Sequence, residues 1–265
     1  SGRTTRVGST WPLAGGQILR WFPWRTIFWV IGVAGLFGLV GCLLRLRETH
    51  HGQRKKLMLR EVLQTYWQLL ADRAFLGYVL TGGMAMAGKF AYIVGSPYVF
   101  IEHFHVSTGH FGFFFEANTL GLVLGAQWNA RLVQRLSSDL IVERVLTVQV
   151  IAGVLLFVGT WSGVLQLYGV AALLFVFIFS VGCLFPNTTA MAMAPQGARA
   201  GSASALIGVI QFSLAAVSAS LIGADNSGAP VPVATVIAVC GILAAVIYKT
   251  MIGGSGARLQ RMSAH

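Results

Sequence analysis

Apolar residues run along this chain in blocks of about twenty, the length a helix needs to cross a hydrocarbon core of about 30 Å. Seven such blocks stand out: Thr26–Leu44, Ala74–Ile101, Phe111–Ala130, Val145–Trp161, Tyr168–Ala194, Gly201–Gly223 and Val231–Ile252. Each predicts a membrane-spanning helix. Trp11–Leu19 is apolar but too short to span, and Arg20–Arg25 (RWFPWR) is a Trp-rich turn broken by Pro23. Tryptophan favours the membrane interface, so this start reads as the last turns of a helix. Between the first two spans, Arg45–Arg73 is the longest polar stretch. Within it Leu59, Val62, Leu63, Tyr66, Leu69 and Leu70 recur at helical spacing, which predicts a short amphipathic helix on the membrane surface. Pro186 removes a backbone donor inside its span and predicts a kink. Gly32, Gly35, Gly38 and Gly41 form a small-residue row in the first span. Gly121 with Gly125, and Gly201 with Ala205, are small pairs that let helices approach.

Composition agrees with the blocks. The 265 residues are 55% hydrophobic and 10% charged, with mean hydropathy +0.72. Soluble domains carry about 25% charged residues, so the chain reads as an integral membrane protein. Its net charge of +11 is scattered between apolar runs, with no basic stripe or stacking platform, and this argues against a nucleic-acid partner. The scatter follows a rule. Seven Lys/Arg occupy Arg45–Arg73, three occupy Arg131–Arg144, and Arg199 and the C-terminal end continue the series. The intervening Glu102–His110, Ser162–Gln166 and Ala224–Pro230 connections hold none. Basic connections are cytoplasmic by the positive-inside rule, which puts the C-terminus in the cytoplasm. Arg20 and Arg25 alone violate it. Cys42, Cys183 and Cys240 each sit in an apolar run and read as small hydrophobes. The polar Ser1–Thr10 start has neither Met nor a signal-peptide pattern, and the expectation is a fragment of a longer chain.

Two charges lie within the spans away from their ends, Lys89 and Glu116. An ammonium at mid-bilayer costs about 2.5–3.5 kcal/mol on an insertion scale and must face protein or water. Their depths differ by roughly 9 Å at the helical rise per residue. Lys89 either lines a polar cavity or satisfies a neighbouring carbonyl; Glu116 either titrates against a cationic ligand or reaches the outer interface. Tyr92, Ser96, Asn118, Asn187, Thr188 and Gln211 are the further interior polar groups. They line a solvated cavity or make interhelical hydrogen bonds of about 1 kcal/mol each. Glu102, His103, His105 and His110 share an outer loop without a fixed frame, so no metal site is assigned. No GxSxG, HExxH, P-loop or CxxC pattern occurs, and no catalytic residue is assigned.

The final third carries Phe185-Pro-Asn-Thr-Thr-Ala-Met-Ala, then Ala200-Gly-Ser-Ala-Ser-Ala-Leu-Ile-Gly and Gln211-Phe. This resembles the tenth and eleventh helices of the bicyclomycin/chloramphenicol-resistance (Bcr/CflA) drug–proton antiporters of the major facilitator superfamily. Pro12-Leu-Ala-Gly15-Gly16 followed by Trp24-Arg25-Thr-Ile-Phe28-Trp29 is similar to the end of the antiporter motif in helix five and the start of helix six. Gly95-Ser-Pro97-Tyr-Val-Phe-Ile-Glu102 resembles the end of helix seven. Phe111-Gly112, with Phe115 and Asn118, resembles the start of helix eight. Gly201 belongs to the helix-eleven run. Lys89 and Glu116 depart from the family pattern, which is uncharged there.

The resemblance implies an all-α half-bundle equivalent to helices six to twelve, plus the end of helix five. It divides the chain into 1–22 (remnant of helix five), 23–44 (helix six), 45–73 (cytoplasmic inter-half loop), 74–252 (C-terminal six-helix half) and 253–265 (cytoplasmic tail). It implies a multi-pass protein of the bacterial inner membrane that exports small amphiphilic drug-like substrates. No cofactor is implied beyond the proton gradient as coupling ion, and the expected state is a monomer when full length. Helices one to four, which carry the family's proton-coupling acid, are not matched. The rival classes are a seven-helix receptor or retinal protein and an intramembrane lipid-modifying enzyme. The first lacks a mid-helix lysine in Val231–Ile252, and the second lacks clustered His or carboxylates at one depth.

Overall fold

The computed structural model describes residues 25–45, 59–224 and 229–253. Among these, helices are the only regular structure: α1 (Arg25–Arg45), α2 (Leu59–Ala71), α3 (Arg73–Pro97), α4 (Thr108–Leu132), α5 (Ser138–Trp161), α6 (Leu167–Met193), α7 (Ala200–Gly223) and α8 (Pro230–Met251). A π-helical turn, Tyr98–His103, extends α3, and a 3-10 turn, Ala194–Arg199, joins α6 to α7. A compact unit begins at Met58, so α1 is described by itself as an apolar helix of 21 residues.

Local signals set the ends. Asp72 caps α3, its Oδ1 accepting from the backbone N–H groups of Ala74 (3.0 Å) and Phe75 (3.2 Å). Pro230 opens α8, where a missing N–H goes unnoticed. Gly163 takes φ +69° just after α5, a conformation that favours glycine and turns the chain toward α6. Pro186 sits inside α6 and offers no hydrogen to the Gly182 carbonyl, yet the helix runs on from Leu167 to Met193.

Among the described residues, five stretches are long and apolar enough to cross a bilayer: Arg73–His103, Ser138–Trp161, Leu167–Gly197, Ala200–Gly223 and Pro230–Met251. Helix α4 has the length, but His110, Glu116, Asn118, Gln127 and Asn129 dilute its apolar character. Helix α5 starts seven residues before the predicted Val145, because Ser138–Arg144 is polar yet helical.

Helix α3 is central. It packs against α6, α7 and α8, while α4 and α5 both pack on α6, and α5 also meets α8. Phe75, Val79, Phe100, Phe177, Leu184 and Ile237 are buried where these helices meet. Outward positions are also apolar: Trp128, Val148, Ile151, Leu155, Val217, Leu221 and Val246 are exposed, as expected of a lipid-facing surface. The amphipathic α2 buries Leu69 in a small cluster with Phe75, Val79, Ala203 and Ile207, and turns Trp67 outward.

The seam between α4 and α6 is built on glycine. A Cβ at Gly125 would collide with the carbonyl oxygen of Phe179, and one at Gly182 with that of Leu122. Phe175 covers Gly121. The pair Gly121/Gly125 thus makes the helix contact its spacing implied. Gly201 and Ala205 do not: both are exposed, and a Cβ at Gly201 would meet open space. Small residues permit approach but do not supply a partner.

The connections rich in Lys and Arg gather at one end of α3–α8. There the Arg73 guanidinium donates to the carbonyl of Thr250. Arg199 Nη1 donates to Gln68 Oε1 at 3.0 Å. Asp139, in the first turn of α5, accepts from Tyr78 of α3 at 3.0 Å and from Tyr248 of α8 at 3.1 Å.

The glycine seam generates a test. Gly125→Ala is expected to cost about 1–3 kcal/mol through overpacking and to lower the melting temperature in detergent by about 5 °C. Gly112→Ala, on the open side of the same helix, is the matched control, because a Cβ there meets nothing. Heating followed by size-exclusion chromatography reads both, and equal melting temperatures would remove the seam's role.

Candidate functional site

Lys89, Tyr92 and Ser96 all lie on α3, but their surroundings differ. Between Phe75 and Phe100 only Ile93 is exposed, and partly open Lys89 and Phe90 stand one turn from it. These three residues form an open patch on a largely buried helix. The Lys89 ammonium lies 5.3 Å from the centroid of the Phe90 ring. The Phe90 ring meets Phe212 of α7 edge-on, at 6.4 Å and 77°. No ion pair joins Lys89 to Glu116, which sits partly buried on α4.

Tyr92 and Asn118 are brought together. The Tyr92 ring stacks on Phe115 of α4, 5.9 Å between centroids at 18°. Its hydroxyl approaches the Asn118 side chain. Yet neither the Tyr92 hydroxyl nor Asn118 Oδ1 has a hydrogen-bond partner, although both are buried. Asn118 Nδ2 is engaged, donating to the Phe114 carbonyl at 2.9 Å. Two buried polar atoms without partners are costly in an apolar interior.

Gln211 of α7 converges with Thr188 of α6 on Gly82 of α3. A Cβ at Gly82 would lie 2.6 Å from Thr188 Oγ1 and 3.4 Å from Gln211 Nε2. The Thr188 hydroxyl donates to its own helix, to the carbonyls of Leu184 and Phe185. Among the described residues the Gln211 amide has no hydrogen-bond partner.

Other predicted residues are held by the fold. Asn187 Nδ2 donates to Asn129 Oδ1 across the α4–α6 seam and to the Cys183 carbonyl at 2.8 Å. The Ser96 hydroxyl donates to Ile93 of its own helix at 3.3 Å and is buried. Arg25 opens α1. Pro12, Gly15, Gly16 and Trp24 lie outside the described residues. No group of three metal-ligating side chains occurs among the described residues, and His110 Nδ1, in the first turn of α4, lies 2.8 Å from Ser107 Oγ. The interior polar residues therefore form separate spots: Lys89 with its aromatic rings, Tyr92 with Asn118, and Gln211 with Thr188.

Several interior groups escaped the sequence reading. Asn129 is the clearest, and its position four residues after Gly125 was the available signal. Gln149 of α5 is fully buried with both amide ends unpartnered, and is the amide of an otherwise apolar run. Asp139 was passed over because a charged segment was not read as helix. Ser218, which donates to the Ala87 carbonyl at 2.8 Å and pins α7 to α3, gave no signal.

Helices α3–α8, apolar outside and carrying isolated polar groups within, define a helical membrane protein with the half-bundle architecture of a transporter. The chain belongs to the Major Facilitator Superfamily, whose description matches residues 8–223. That superfamily consists of transporters and is not an enzyme class. The chain is similar to the uncharacterized MFS-type transporter YdgK of Bacillus subtilis, at 30% identity over 89% of this chain and 59% of that protein. It is similar to a bicyclomycin resistance protein homolog of Haemophilus influenzae, at 26% identity over 89% of this chain and 60% of that protein. The multidrug transporter MdfA of Yersinia pestis is 27% identical over 76% of this chain and 49% of its own length. The chain thus spans about half to three-fifths of the curated relatives it matches.

The contrast between Asn187 and Gln211 is testable. Asn187→Leu strands the Asn129 carbonyl in the seam and is expected to cost about 1–3 kcal/mol. Gln211→Met replaces an amide without a partner by an apolar chain of similar volume and should cost less than about 1.5 kcal/mol. Thermal denaturation in detergent reads the difference, and a larger loss for Gln211→Met would reverse the two roles.

Proposed function

We propose that the chain is the C-terminal part of a proton-coupled exporter of small amphiphilic drug-like molecules in the bacterial inner membrane. The observation that carries this reading is an ammonium, Lys89, at the middle of the central helix of a superfamily half-bundle. At that depth an ammonium is tolerable only against protein or water, so the Lys89–Ile93 window faces a passage rather than lipid. The printed names of two relatives, a bicyclomycin resistance protein homolog and a multidrug transporter, support drugs as cargo. Agreement among the matched stretches, including Phe185–Ala192 and Gly95–Glu102, supports the Bcr/CflA branch.

In this reading the substrate passes between two related six-helix halves that rock about a midplane site. Lys89, Tyr92, Asn118 and Gln211 line this half of the passage, and the proton gradient drives exchange. The protein works as a monomer, without a bound cofactor, and the connections rich in Lys and Arg face the cytoplasm with the C-terminus. No residue described here is assigned to carry the proton.

The test is export by the intact protein in a bacterial strain deleted for its own drug pumps. Ethidium and chloramphenicol accumulation should fall severalfold on expression and recover when an uncoupler collapses the proton gradient. Accumulation unchanged across a panel of amphiphilic drugs, with the protein present in the membrane, would overturn the exporter reading. Export that survives the uncoupler would overturn proton coupling alone.

A further inference from the structure

The Lys89 window carries more information than depth. Lys89 is sixteen residues from Arg73 and fourteen from His103, so about 24 Å and about 21 Å of helix separate it from the two ends. It cannot reach either aqueous face by extending its side chain. Among the described residues no carboxylate pairs with it, and its one close partner is the Phe90 ring. A ring quadrupole contributes about 0.5–2 kcal/mol, which does not replace the hydration an ammonium loses on burial. Among the described residues, then, no opposite charge compensates an ammonium at this depth.

The neighbours narrow what compensates it. Phe90 and Phe212 meet edge to face beside the ammonium, and exposed Ile93 completes the window one turn along. Phe212 is itself exposed, as is Val209 one turn before it on α7. The ammonium thus sits at the edge of a hydrocarbon and aromatic surface open on one side. An inorganic anion would gain the charge but waste the surface. A small aromatic molecule with a carboxylate satisfies both, its charge on Lys89 and its flat body against Phe90 and Phe212.

We propose that this window is a binding site for small aromatic carboxylates, so that the exported class includes organic anions. The inference rests on the exporter reading for its physiological meaning but not for its test. Charge-assisted contacts to a desolvated ammonium supply the affinity, and the two rings supply orientation. Glu116 forms no ion pair with Lys89 and is not assigned to the anion site.

Equilibrium binding tests the site in the intact protein in detergent, with fluorescein as the anionic aromatic probe and rhodamine 123 as the cationic one. Wild-type protein should prefer fluorescein. Lys89→Gln should lower the ratio of fluorescein to rhodamine affinity by about tenfold, and Lys89→Arg should restore it. Competition in the wild-type protein provides a readout that needs no variant: 2-naphthoate should displace fluorescein and 2-naphthamide should not. An unchanged ratio in Lys89→Gln, or equal displacement by acid and amide, overturns the anion site. So does absence of fluorescein binding, which would mean that a carboxylate of the protein itself neutralises Lys89. Ethidium export from energised vesicles separates the two readings. Anion binding without export of any dye leaves the site standing and removes the exporter, while export without a Lys89-dependent preference removes the site alone.

Discussion

The contact on which the rest depends is the approach of α4 to α6 at Gly125 and Gly182. With no side chain on either residue, the two backbones come close enough for Cys183 Sγ to donate to the Gly125 carbonyl at 3.0 Å. One turn further, Asn187 and Asn129 meet for the same reason. In lipid there is no water to satisfy a polar group that misses its partner, so such contacts must be made between helices or not at all. Pro186 falls on this seam as well, withholding a hydrogen from the Gly182 carbonyl just where the helices are tightest. Helix α6 is then placed to pack on α3 and α5 together, and α3 becomes the helix around which the others assemble.

The polar interior divides into two kinds of group. Asn187 and Ser218 give hydrogens to groups on neighbouring helices and hold the bundle in register, while Ser96 and Thr188 bond to carbonyls of their own helices. Among the described residues Lys89 and the Gln211 amide have no such engagement, and the Tyr92 hydroxyl and Asn118 Oδ1 are each buried without a hydrogen-bond partner. The second kind is expensive in a medium of low dielectric constant, and a protein keeps it where something else completes it.

The helices were legible because crossing a hydrocarbon layer imposes a length, and blocks such as Ala74–Ile101 and Tyr168–Ala194 display it directly. Leu59–Ala71 was legible through its periodicity. The first two turns of α5 were not, because Asp139, Glu143 and Arg144 look like a connection; they are helical because the end of a spanning helix projects into water and Asp139 has tyrosine partners. Glycine spacing was readable at Gly121 and Gly125, where Phe175 and Phe179 complete the contact, and misleading at Gly201. The charged positions Lys89 and Glu116 were visible at once, but whether they meet depends on the rotation of α3 and α4, which hydropathy does not encode. For the same reason Asn118 was found as a candidate while its relation to Tyr92 was not.

Asp139 receives the hydroxyls of Tyr78 and Tyr248 on one carboxylate oxygen, so α3, α5 and α8 share a single tether at the end rich in Lys and Arg. Three rods knotted at one end cannot splay there independently. Separating these helices at that end requires breaking both bonds to Asp139, whereas at its other end α3 runs on only into the π turn Tyr98–His103.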